Sequence, residues 1–222
     1  MTKSRIISYI SVGILLISCS ARKVDLSFMP KSLIEFYFPQ LSADFVKKQE
    51  DCISQKRFPC DFPEPNDSLN DFVNTWYSKH LKSLKEPIIY NSTQNSTETV
   101  RFTHLGTWSN PRFYRIEKSP SGLRGYYGKT NGLGGYDAGK RIEYKEKILP
   151  DENWNQILNQ IKIANFWNIQ TQDPNMILDG EEWILEILID GRYHVVSRNS
   201  PGNYGGEEYA KLCNLVMTLV KK

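Results

Sequence analysis

Glu186 stands in an otherwise apolar run, Trp183 to Ile189, and His194 follows in a second run of the same kind, Arg192 to Ser197. A carboxylate in apolar surroundings is a candidate general acid or base, and a histidine beside it could exchange the proton. A buried ion pair, or a hydrogen bond to an arginine or tyrosine, would explain the same carboxylate without any chemistry. Glu182 shares a strand face with Glu186. Four residues at about 3.3 Å put the two roughly 13 Å apart, beyond the about 5–9.5 Å of a glycosidase pair. No His-Glu-x-x-His and no Gly-x-Ser-x-Gly is present, although the members of a catalytic triad need not be close along a chain. Glu186 and His194 are therefore the weak catalytic candidates, and no recognisable motif makes the chain an enzyme.

The turn between the two runs decides whether the pair can meet. Asp190-Gly191 suits a two-residue type I′ hairpin. That turn sets Ile189 opposite Arg192, Ile187 opposite His194, Glu186 opposite Val195 and Trp183 opposite Arg198. Side chains alternate between faces, so Glu186 and His194 should project from opposite sides of the sheet. Trp183 and Arg198 should be neighbours, able to stack as a cation–π pair.

Gly128-Lys129-Thr130 has the ending of a phosphate-binding loop, but position 123 is Leu where that motif needs Gly, and Asn131 to Gly135 cannot open a helix. Gly132 to Gly139 reads as a glycine-rich turn, or as an exposed loop at which Tyr126, Tyr127 and Tyr136 offer a stacking surface. His80 falls on an apolar helical stripe and reads as a core or boundary residue. Cys52 and Cys60 lie in a polar, proline-containing segment where a disulfide can form, while Cys213 sits on an apolar stripe as an inert core thiol. No Cys-x-x-Cys occurs, and the spacings fit no zinc site. No cofactor or metal is expected.

Lys3 and Arg5, the apolar run Ile6 to Ile17, and then Leu16-Ile17-Ser18-Cys19 come in the order of an export signal. The run is too short to cross a bilayer, which needs about 20 residues. Charge, apolar run, small residue and cysteine together resemble the lipobox of bacterial lipoprotein precursors. The resemblance covers the N-terminal segment and implies cleavage before Cys19, acyl chains on that cysteine, and a place in the bacterial cell envelope. In the sorting rule of enteric lipoproteins, Ser20 implies the outer membrane. Two or more acyl chains give stable attachment at about 0.8 kcal/mol per buried methylene. The whole chain has 28 basic and 25 acidic side chains, a formal charge of +3. Loss of Lys3 and Arg5 with the signal lowers it by two. Attraction to anionic lipid is therefore not the anchoring force, and so balanced a chain does not read as a nucleic-acid binder.

These residues must be held by elements legible in the pattern of the chain. Residues 1–18 read as signal peptide, 19–30 as a lipidated tether, 31–90 as a helical segment, 91–99 as a polar linker or loop, and 100–222 as an α+β domain. Short helices are expected over Leu33 to Phe38 and Phe45 to Ile53. A longer one is expected over Ser68 to Lys85, started by Ser68, with Leu69, Phe72, Val73, Trp76, His80 and Leu84 as its apolar stripe. Val100 to Leu105, Arg112 to Glu117, Leu123 to Gly128 and Lys140 to Ile148 form an antiparallel meander. A helix capped by Asp151 runs to about Trp167, the Asp190-Gly191 hairpin follows, and a last helix carries Tyr209, Leu212, Cys213, Val216, Met217 and Val220. The fold class is α+β, with helices against one face of an antiparallel sheet.

Asp179-Gly180, Trp183, Glu186, Gly191, Tyr193-His194, Arg198 and Ser200-Pro201 also resemble a pattern found in uncharacterised bacterial proteins. The likeness spans roughly Arg101 to Leu219 and implies no activity. The leading expectation is a lipid-anchored envelope protein with a non-catalytic binding or structural domain, its partner a protein or an envelope polymer. The alternatives are an anchored hydrolase of envelope polymers, and a scaffold partner in a membrane complex.

Overall fold

Six strands form one antiparallel sheet in the order β4-β3-β2-β1-β5-β6. They are β1 (Glu98–Gly106), β2 (Arg112–Ser119), β3 (Gly122–Thr130), β4 (Arg141–Leu149), β5 (Glu181–Ile189) and β6 (Arg192–Asn199). Among the described residues four α-helices accompany them: α1 (Ala43–Ser54), α2 (Asp71–Leu84), α3 (Glu152–Ile163) and α4 (Glu207–Lys221). The structure is a computed structural model and describes residues 35–56, 59–60, 62, 65–92, 97–172, 180–203 and 206–221. The export signal, Cys19, the tether, Asp179 and part of the 91–99 linker lie outside the described residues. Residues from Glu35 onward form one compact unit, so the helical segment and the α+β region share their packing. No helix among the described residues is long and apolar enough to cross a membrane.

The fold is α+β, as expected, but the sheet is covered on both faces. On one face α3 and α4 bury Trp154, Ile157, Leu212 and Val216 against Val100, Phe102, Leu185 and Ile187. On the other, α2 and the segment before it bury Phe38, Tyr77 and Leu81 against Leu105, Ile184 and Val195. The central strands β1 and β5 are accordingly buried on both sides, which removes the apolar–polar alternation of a one-sided sheet.

Several local expectations are corrected. Glu35–Phe38 is not helical. Pro39 biases the residue before it to extended backbone, and Tyr37 N–H donates to Ser78 Oγ at 2.9 Å as the segment runs along α2. The cap of α2 is Asn70, whose side chain accepts from Val73 N–H at 3.0 Å, not Ser68. Its buried face holds Asn74, Tyr77, Ser78, His80, Leu81 and Leu84, while Phe72 is exposed. Asn74 is buried because its amide donates to Phe38 C=O at 2.8 Å. Asp151 sits at the start of α3 without a side-chain cap bond, and the helix ends at Ile163 rather than near Trp167. A short 3₁₀ turn, Phe166–Asn168, follows.

The hairpin forms as expected. Asp190 and Gly191 adopt φ values of 51° and 72°, and Ile189 pairs with Arg192, Ile187 with His194, Glu186 with Val195 and Trp183 with Arg198. The outer edge of β6 is covered by residues near 67 and 171: Val195 N–H donates to Asp67 Oδ1 at 3.2 Å and Ser197 N–H to Thr171 C=O at 2.7 Å.

Candidate functional site

Strand register sets a row of polar side chains across the α2 face. Glu186 of β5 pairs with Arg101 of β1, Arg101 with Arg115 of β2, and Arg115 with Tyr126 of β3. Two guanidiniums side by side would repel. Glu86, which follows α2, supplies the charge between them, its Oε2 lying 2.8 Å from Arg115 Nε and 3.6 Å from Arg101 Nη1. Glu186 Oε2 lies 2.7 Å from Arg101 Nε and 2.5 Å from Nη2, and Glu186 Oε1 accepts from Tyr193 O–H at 3.1 Å. Arg101 Nη1 donates to Pro87 C=O at 2.6 Å, and Arg115 pairs with Glu117 and lies 4.2 Å above the Tyr126 ring.

Arg101 and Glu186 are 0 % exposed. Burial pushes the Glu186 carboxyl above the usual carboxylate range, and the Arg101 guanidinium pulls it back. Burial likewise raises Glu86, opposed by Arg115 and Arg101. Tyr193 is held well above an ordinary phenol by burial and by the adjacent Glu186. This is a buried ion network in which both oxygens of Glu186 are bonded, closed to a substrate. It accounts for Glu186 as the paired carboxylate that its sequence environment also allowed.

His194 lies on the opposite face. Its Nδ1 contacts Asp67 Oδ1, and its Nε2 lies 2.9 Å from Ile169 C=O. The ring packs on Phe166 and Trp167. Glu186 and His194 form no dyad, as the register required.

The three tyrosines expected to share a surface do not. Tyr126 is under Arg115, whereas Tyr127 points to the other face, 5.3 Å from the Tyr114 ring, with its phenol pushed up to about 12 chiefly by burial. Tyr136 stands in the 131–139 loop beside Trp108, ring centroids 5.1 Å apart. Trp183 packs 5.1 Å from Phe102 and 5.7 Å from His104. Arg198 donates to Ser197 C=O at 2.6 Å and Gln170 C=O at 2.8 Å.

A second polar cluster ties α2 to the sheet. Tyr77 O–H lies 3.0 Å from Glu182 Oε2 and 2.9 Å from Ser197 Oγ, and Ser197 Oγ donates to the same carboxylate at 2.9 Å. Cys52 and Cys60 are disulfide-bonded, and Cys213 is free and buried, its thiol raised by burial. No three His, Cys, Asp or Glu side chains gather as a metal site among the described residues.

Sequence reasoning missed Arg101 as the partner of Glu186, missed Glu86 and Arg115 as the rest of the network, and missed Trp108. The arginines stand at alternate-face positions of their strands, Arg101 between Val100 and Phe102 and Arg115 between Tyr114 and Ile116. A charge so framed by apolar residues was the available signal. Nothing local pointed to Glu86. No protein-family model matches this sequence, and no curated protein matches it.

Proposed function

We propose that the chain is a lipid-anchored protein of the bacterial cell envelope, held in the outer membrane through acyl chains on Cys19, and that its α+β domain serves binding or structure rather than catalysis. The Cys52–Cys60 disulfide carries the reading. Such bonds persist in exported proteins and are rare where thiols are kept reduced. It agrees with the charge, apolar run and Ser18-Cys19 of the N-terminal segment. The burial and full pairing of Glu186, and the bonding of both His194 nitrogens, support structural roles for the two residues on which a hydrolase would have drawn.

Acylation needs the Cys19 thiol. Cys19→Ala expressed in a bacterial host should lose incorporated fatty acid and move from the detergent phase to the aqueous phase. A variant that partitions with membranes as the parent does would overturn the anchor.

A further inference from the structure

The C-terminal end of α3, the Phe166–Asn168 turn and the tip of the β5–β6 hairpin line a cleft of about 530 Å³. That falls within the about 300–1,000 Å³ of small-molecule sites, which join apolar walls to a few placed polar groups. Leu158, Ile161 and Ile189 give the cleft its aliphatic surface. Leu158 is 39 % exposed, so this surface is open to solvent along the helix.

The polar groups of the cleft come from three parts of the chain, and bonds between them fix their positions. Asn168 Nδ2 donates to Asn165 Oδ1 at 2.6 Å. Arg192 reaches from the hairpin to the turn, where its Nη2 donates to Trp167 C=O at 3.3 Å and its guanidinium lies 4.4 Å above the Trp167 ring. Each bond uses only part of a side chain. Asn165 keeps its amide NH₂, Asn168 its amide oxygen, and Arg192 the donors on Nε and Nη1. Lys162, in the last turn of α3, and Asp190, in the hairpin turn, complete the lining and are exposed. Two cations therefore share the cleft with one carboxylate.

We propose that this cleft binds a stretch of an acidic saccharide chain; the inference deepens the envelope-binding reading above and rests on it for the source of the polymer. A sugar ring carries the matching set of groups. Its C–H face packs on aliphatic and aromatic surface, and its hydroxyls both donate and accept, which suits Asp190, Asn165 and Asn168 together. A carboxylate on the ring answers Lys162 and the guanidinium of Arg192. The openness of the cleft along α3 suits one stretch of a longer chain. An acidic peptide fits less well. Peptides commonly add to a strand edge, and the outer edge of β6, the nearest strand, is already bonded by Asp67 and Thr171.

The test titrates the full chain, in detergent, with tetragalacturonate in a calorimeter. Neutral maltotetraose should bind at least about tenfold more weakly, as expected for loss of charge-assisted bonds. Added salt should weaken the acidic ligand. Lys162→Gln and Asn168→Ala, both at exposed positions, should each weaken tetragalacturonate at least about threefold, with the far-ultraviolet circular dichroism unchanged. Lys140→Gln, which removes a like charge outside the cleft, should leave binding as it is. No heat up to about 10 mM tetragalacturonate overturns the proposal. So does binding that ignores both cleft variants, or maltotetraose binding equally well. Tetraglutamate binding as tightly as tetragalacturonate would assign the cleft to an acidic peptide and overturn it too. The mass of Cys19 is read on the same samples. An acylated chain that ignores tetragalacturonate sinks the cleft and leaves the anchor standing. A chain without acyl mass that still binds it sinks the anchor and leaves the cleft.

Discussion

Arg101 joins two buried carboxylates, touching Glu186 at 2.5 Å and Glu86 at 3.6 Å, with no exposed surface of its own. Its removal leaves charge in a low-dielectric interior, so Arg101→Met should cost about 3–5 kcal/mol in urea unfolding. Glu186→Gln should cost less, since the amide oxygen can still accept from Arg101 while the amide N–H donates to the Tyr193 oxygen. Arg101→Met combined with Glu186→Leu should cost less than the two single changes added, because each removes the other's orphan; simple additivity would contradict the pairing. His80 is a different case. It is fully buried, beside the backbone of Gly134. Burial first, and then the nearby Lys79 charge, hold its pKa at about 4 against 6.5 for the free side chain. A depressed pKa means that the unfolded chain takes up the proton first. The stability His80 contributes is therefore whole above about pH 6.5 and is lost as pH falls toward 4, a slope worth about 3 kcal/mol in total. Glu86 and Glu186, raised by burial, act with the opposite sign at the acid end. The comparison of parent with His80→Phe isolates the histidine: the variant should show a flatter fall in unfolding midpoint between pH 6.5 and 4.

At the scale of elements, the two longest-range decisions were made by small local signals. Asn70 starts α2 with a real side-chain bond to Val73 N–H, whereas Asp151 occupies the same position of α3 with none. Asn70→Ala should lower stability by about 1 kcal/mol. Asp151→Ala should change it by only a few tenths, measured by the same denaturant curves. Equal losses would mean that the cap geometry does not hold in solution. The Asp190-Gly191 turn is the second such signal. Both residues take positive φ, which two-residue hairpins of this twist require. The turn sets His194 on the face opposite Glu186, and a shift of one residue would have put the two on the same face. At the sheet's edges the molecule uses two devices. Residues near 67 and 171 cover β6, whereas β4 carries Lys145 and Lys147, charges that discourage pairing with another chain.

Across the whole molecule, the free and bonded cysteines report on different events. Cys213 lies in the core between α4 and the sheet, while Cys52 and Cys60 staple the short segment after α1. Unreduced protein should react with a thiol reagent at Cys213 only after global unfolding, and mass mapping should find Cys52 linked to Cys60. A Cys213 linkage to either would contradict the fold. Cys52→Ser with Cys60→Ser should cost about 2–3 kcal/mol by the entropy of closing a short loop, with Cys213 still protected.

What the sequence by itself determined follows from short-range rules. Chain order, the six strands, α4 with its Tyr209-to-Val220 stripe, the hairpin register and the Cys52–Cys60 bond could each be read from neighbours a few residues apart, because periodicity, turn geometry and loop closure act over that distance. The tertiary structure decided the rest. Arg101 and Glu186 are 85 residues apart, and Asp67 and His194 are 127, so their pairing exists only once the sheet has formed. The face that α2 buries was also settled there. Asn74 and Ser78 go inside because the residue 37–39 segment bonds them, and Phe72 is left outside. The exposed Trp108–Tyr136 pair arises in the same way, from a loop and a turn 28 residues apart in sequence that share one backbone frame. Burial and hydrogen bonding are summed over all neighbours in space, and a local pattern counts only those along the chain.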